Sequence, residues 1–188
     1  MHRTKAVFRF IVAWLCCVAL NVARADTVVV TGRGVAAVGG PDVWYDATPF
    51  AGTDGTFGGN TNRICWQSVT VGAAGTATKL RLKCGAYYGG SEVVKMALYD
   101  GTTLLSDGTV SVNGTGNFEV TLAAAQAVTA KAYNVGIAWV GGSIDMAILT
   151  SGTFSINTSN TYTGFPQSPL PAASSTPAGT LAVGIYVD

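Results

Sequence analysis

From residue 63 onward, apolar and polar residues alternate with period two, the pattern of strands half buried in a sheet. In Lys79-Leu80-Arg81-Leu82-Lys83-Cys84 the basic side chains fall on one face, and Leu80, Leu82 and Cys84 fall on the other. Val94, Met96 and Leu98 alternate with Lys95, Ala97 and Tyr99 up to a turn at Asp100-Gly101. Leu104 and Leu105 precede a second Asp-Gly at Asp107-Gly108, and Val110 and Val112 end at Asn113-Gly114; both dipeptides read as turns. Phe118, Val120 and Leu122 form another alternating run, followed by Tyr133, Val135, Ile137 and Trp139, then Ile144, Met146 and Ile148, then Phe154 and Ile156. Leu181, Val183, Ile185 and Val187 close the chain.

About eight to ten short strands separated by Gly, Asn, Asp and Pro predict an all-β antiparallel sandwich or barrel. Helical periodicity is nearly absent. The Ala-rich stretch Leu122 to Ala132 could hold a turn of helix, although Val128 and Thr129 suit a strand as well. Ser159 to Gly179 carries Pro166, Pro169, Pro171 and Pro177 among Ser, Thr and Ala. It reads as an extended loop, too polar to form core.

The N-terminal 25 residues differ in kind. Arg3, Lys5 and Arg9 precede an apolar run from Phe10 to Leu20, and Ala23-Arg24-Ala25 supplies small residues at a cleavage position. This is the arrangement of a secretory signal peptide, with cleavage expected before Asp26. The apolar run is too short for a transmembrane span, which needs about 20 residues. The expected domains are therefore a signal peptide at 1–25 and one β-sandwich at 26–188. The location is secreted or extracellular, with the periplasm or cell surface as variants.

Charged residues make up only 11% of the 188 and hydrophobic residues 48%. After Ala25 there are seven basic and 10 acidic residues, a net charge of −3. That balance excludes a polybasic nucleic-acid binder. All 24 glycines also lie after Ala25, in keeping with a turn-rich sandwich.

An exported chain that keeps two cysteines, Cys65 and Cys84, points to a structural disulfide. Cys65 is in phase with Val69 and Val71, and Cys84 with Leu80 and Leu82, with a turn-like Gly72 to Ala77 between. A hairpin pairing Val71 with Thr78 would pair Val69 with Leu80, Gln67 with Leu82 and Cys65 with Cys84. Cross-strand separations of about 4.5–5.5 Å suit a disulfide. Gln67 interrupts the apolar row, so a bulge is possible there.

The strand patterns Thr78-Lys79-Leu80-Arg81-Leu82, Val94 to Asp100, Phe118 to Leu122 and Tyr133 to Trp139 carry a likeness. Over roughly Arg63 to Val140 the chain resembles secreted jelly-roll sandwiches of the carbohydrate-binding-module type. The resemblance implies a jelly roll that binds glycans. It rests on strand patterns and assigns no binding residue.

The sole His lies in the signal region, which removes Ser-His-Asp and Cys-His chemistry from the exported chain. A carboxylate pair would suffice for glycoside hydrolysis, but nearly all the acids fall in turns or on outward strand positions. No enzyme is expected. Gly32-Arg33-Gly34-Val35-Ala36-Ala37 after Thr27 to Val30 imitates a dinucleotide fingerprint, but Gly39-Gly40-Pro41 breaks the helix that such a site needs. No cofactor is expected. Asp42, Asp46 and Asp54 are weak candidates for calcium; they lack EF-hand spacing and read as solvated loop acids. Asn113-Gly114-Thr115 and Asn157-Thr158-Ser159 are glycosylation sequons.

A sugar ring packs its C–H face on an exposed aromatic while polar neighbours take its hydroxyls. Tyr87 and Tyr88, before Gly89-Gly90, are candidate contacts. So is Trp66, which the hairpin register sets opposite Lys83 on the outward face; Trp44-Tyr45 is a further choice, and Trp139 reads as core. The expected function is non-catalytic binding of a glycan or cell-surface ligand, with no nucleic acid and no membrane insertion after signal cleavage. The alternative is a structural subunit of an extracellular fibre or surface layer. In that case the strand Thr27 to Val30 would add to the sheet edge of another copy.

Overall fold

The computed structural model describes residues 42–58, 63–139, 142–159 and 162–188. The signal peptide expected at 1–25, the strand expected at Thr27 to Val30 and the Gly32 to Ala37 motif lie outside the described residues.

The alternating segments form two antiparallel sheets, an all-β sandwich. The five-stranded sheet has β3 (Arg63–Thr70), β5 (Glu92–Asp100), β6 (Thr103–Val112), β8 (Ala132–Trp139) and β10 (Ser155–Asn157), in the order β10-β3-β8-β5-β6. The seven-stranded sheet has β1 (Val43–Asp46), β2 (Gly55–Phe57), β4 (Gly75–Tyr87), β7 (Gly116–Val128), β9 (Ile144–Thr153), β11 (Ala178–Leu181) and β12 (Val183–Val187). Leu80, Leu82, Val120 and Ile185 of one sheet meet Val69, Met96, Leu98, Ile137 and Trp139 of the other in one buried core. Period two explains this: every second residue of each strand turns inward.

The long strand β4 organises the larger sheet. β7 covers one edge of it, from Gly75 to Cys84. On the other edge β12 pairs with Ala77 to Leu82, and β9 takes over from Cys84 to Tyr87. Where β4 and β9 separate, the C-terminal chain enters along β9 as β11 and leaves along β4 as β12. Ala182 sits at the branch point, donating to the Ala147 carbonyl and accepting from the Lys83 amide, each at 3.0 Å.

Three expectations are corrected here. First, β3 and β4 do not form a hairpin. β3 pairs with β8 and β10 in one sheet, and β4 with β7, β9 and β12 in the other. Two strands facing one core from opposite sides show the same phase as two strands in a hairpin, so phase could not separate the cases. Gln67 needs no bulge: its side-chain oxygen reaches across and accepts from the Leu181 amide at 3.3 Å. Cys65 and Cys84 are both buried free thiols, facing the shared core from opposite sheets. Burial pushes the Cys65 thiol up to about 12 and raises that of Cys84 as well. Protein beginning at Asp26 should therefore resist iodoacetamide at pH 8 while folded. In denaturant without reductant it should take up two labels; an unlabelled denatured chain would instead demonstrate a bond.

Second, the Pro-rich segment is not excluded from core. Phe165 and Leu170 are buried with Ile64, Trp66, Ala97, Tyr99 and Ala138 in a second cluster on the outer face of the five-stranded sheet. Lys95 Nζ holds the segment down by donating to the Tyr162 and Phe165 carbonyls, each at 3.1 Å. The Leu170 amide donates to the Thr102 carbonyl at 2.7 Å. A polar composition concealed two apolar anchors.

Third, Asp107-Gly108 is not a turn but the interior of β6. A Cβ at Gly108 would lie 2.4 Å from the Thr121 carbonyl oxygen, so glycine allows β7 to pass close by as the two sheets meet along this side. The Ala-rich stretch resolves as strand, since β7 continues to Val128. Asp100-Gly101 is a turn as expected, with Gly101 at φ 58°.

Candidate ligand-binding face

The outward positions of β4 carry Lys79, Arg81 and Lys83, spaced about 7 Å apart by the strand repeat. On the neighbouring strands, β1 pairs Trp44 with Tyr186 and Tyr45 with Ile185. Ile185 faces the core and Tyr45 packs against it, so Trp44 and Tyr186 face outward. Their rings lie 5.1 Å apart, tilted by 50°. Both side chains are half-buried, leaving part of each ring accessible.

Charge fixes these rings in place. Arg81 pairs with Asp46 through two hydrogen bonds, Nε to Oδ1 at 2.8 Å and a second from Nη2 to Oδ2. The guanidinium is also stacked between the rings of Trp44 and Phe50, 4.3 Å from each centroid. A planar, bidentate, aromatic-stacked arginine is a rigid support. Lys79 lies over Tyr186 at 5.5 Å and pairs with Glu119 at 3.3 Å. Phe50 belongs to the segment that crosses from β1 to β2 over the outer face, where it buries Ala147 and Ala182. Lys83 Nζ anchors that segment, donating to the Phe50 carbonyl at 2.5 Å and Thr53 Oγ1 at 2.7 Å.

Beyond Lys83 the face opens into a depression of about 660 Å³, lined by Thr53, Asp54, Thr56, Lys83, Gly85 and Thr115 among others. Asp54 Oδ1 accepts from the Thr150 amide at 2.8 Å and its Oδ2 from the Thr150 hydroxyl at 3.0 Å. These bonds hold its carboxyl below the usual range. At the far end stands Tyr88, 67% exposed, its hydroxyl donating to Asp145 at 2.8 Å. That bond pushes the phenol upward.

The expected contacts are thus dispersed. Tyr88 and Lys83 lie on this face. Tyr87 is half-buried against the core, its hydroxyl donating to the Gly90 carbonyl at 2.6 Å. Trp66 does not lie opposite Lys83: it is on the other sheet, 8% exposed, under Phe165 and Leu170. Trp139 is core. The three acids considered for calcium serve separately, with Asp42 beside Tyr186, Asp46 on Arg81 and Asp54 on Thr150. Among the described residues no three Asp, Glu, His or Cys side chains gather as a metal site. Of the two sequons, Asn113 is exposed, whereas Asn157 is buried and donates to the Ala172 carbonyl at 2.7 Å.

Sequence reasoning missed Tyr186 and ranked Trp44 low. The available signal was an aromatic out of phase with the apolar row Leu181, Val183, Ile185 and Val187. The chain matches no protein-family model and no curated protein.

Proposed function

We propose that this is a secreted, non-catalytic jelly-roll sandwich that binds a glycan on the outer face of its seven-stranded sheet. The single observation that carries this reading is the outward pair Trp44 and Tyr186, braced by Arg81 and Asp46. A braced aromatic pair beside charged and hydroxyl groups suits sugar C–H faces and their hydroxyls at once, with little ordering cost on binding. Two further features support it. The four-strand set β2-β9-β4-β7 faces β3-β8-β5-β6, and within these eight strands consecutive ones change sheet except at the β5–β6 hairpin; that order supports the jelly-roll reading. The carboxylates on the face are engaged one by one, Asp46 with Arg81, Glu119 with Lys79, Asp54 with Thr150 and Asp145 with Tyr88, which favours binding over acid–base chemistry.

A glycan array probed with the secreted chain tests the reading. Trp44→Ala and Tyr186→Ala should each weaken the best signal by about tenfold or more, as expected for a central aromatic contact. Tyr88→Ala, at the end of the face, should weaken it less. Signals unchanged in both the Trp44 and Tyr186 variants would remove this face from the site.

A further inference from the structure

Resting on that reading, we infer that the depression beyond Phe50 is a subsite for a singly charged anionic substituent of the glycan, a carboxylate or a sulfate ester. The argument begins with the cations of the face. Lys79 is matched by Glu119, and Arg81 by Asp46. Lys83 is held only by neutral oxygens, the Phe50 carbonyl and Thr53 Oγ1, and no carboxylate lies within ion-pairing distance of it among the described residues. An ammonium has three N–H donors. Two are used, which leaves one N–H and an unmatched positive charge at the wall of an open depression.

The surroundings fit such a group. Thr53, Thr56 and Thr115 line the same depression, together with Gly85 and Gly116. Asp54 is the one carboxylate in the lining, and Thr150 satisfies both its oxygens. It disfavours a multiply charged group such as a phosphate monoester more than a single charge. Tyr186 pairs with Lys79, and Lys83 lies two outward steps along β4 from Lys79, about 14 Å away. A glycan with one ring on Trp44 and Tyr186 would therefore bring the substituent of a unit further along its chain beside Lys83. The platform supplies stacking, and Lys83 supplies selection between charged and neutral chains.

Affinity electrophoresis of the secreted chain in gels containing matched polymers tests this. The pairs are polygalacturonate against its methyl ester, hyaluronate against its methyl ester, and dextran sulfate against dextran. The wild type should bind at least one charged polymer about fivefold more tightly than its uncharged match, the scale of one partly exposed ion pair. The pair that responds identifies carboxylate or sulfate. Thr56→Asp adds a like charge to the depression without touching the bonds of Lys83, and should abolish the preference while leaving binding to the uncharged polymer. Lys83→Gln should also abolish the preference, and Lys83→Arg should retain it. Equal retardation by charged and uncharged partners, or a preference that survives Thr56→Asp, overturns the inference. If neutral glycans still bind through Trp44 in that event, the proposed function stands; if no glycan binds in either assay, both fail.

Discussion

Trp66→Ala should lower stability by about 3–5 kcal/mol, the usual cost of emptying an aromatic site in a core. For a domain of this size that is a fall in melting temperature of roughly 10 °C or more. Trp66 looks outward from its strand, and an outward tryptophan on a strand is an ordinary candidate for a ligand contact. Here the chain returns to cover it: Phe165 and Leu170 lie over Trp66 and Tyr99, fastened by Lys95. A truncation would open a cavity between sheet and loop and loosen the Phe165 anchor. Below its melting point the variant should bind glycans as the wild type does, because the proposed binding face belongs to the other sheet. Thermal unfolding followed by circular dichroism, together with the array, checks both parts. A stable variant that has lost binding would return Trp66 to the site.

Gly108→Val should be as damaging, for a reason that no hydrophobicity scale contains. Its Cβ would fall 2.4 Å from the Thr121 carbonyl oxygen and 2.6 Å from a methyl of Val120, so backbone has to move. The two strands belong to different sheets, and forcing them apart opens the side of the sandwich. Overpacking commonly costs about 1–3 kcal/mol, and a clash with backbone lies at or beyond the upper end. Gly114→Ala, where a Cβ meets nothing within 4 Å, is the control and should be close to neutral. Urea titration of the two variants gives the difference directly. If Gly108→Val unfolds like Gly114→Ala, the close passage of β6 and β7 is not a property of the folded protein.

Much of the architecture could be read from alternation alone, because facing inward or outward is a local property. Val94, Met96 and Leu98, or Leu80, Leu82 and Cys84, point into the core as their phase requires. Pairing partners are not local. Cys65 and Cys84 share a phase because both strands face one core, and the same pattern would serve a hairpin. A glycine that lets a strand pass and a glycine that makes a turn look alike in sequence, as Gly108 and Gly101 demonstrate. The candidate site was legible in its basic row, Lys79, Arg81 and Lys83, and in Tyr88, while Trp44 was only a further choice and Tyr186 was missed. Trp44 and Tyr186 come from opposite ends of the described chain and meet only because β1 pairs with β12. Nothing in either local sequence announces that pairing.

The central claim is that the outer face of the seven-stranded sheet, and no other tryptophan-bearing surface, receives the ligand. Protein beginning at Asp26, labelled with ¹⁵N, should give separate indole N–H signals for Trp44, Trp66 and Trp139, assignable by single Trp→Phe replacements. Titration with the oligosaccharide that gives the best array signal should shift the Trp44 signal progressively and saturably. The Trp66 signal, under Phe165, and the Trp139 signal, in the core, should stay in place. A Trp44 signal that stays fixed while bound oligosaccharide moves Trp66 would contradict the assignment of the face.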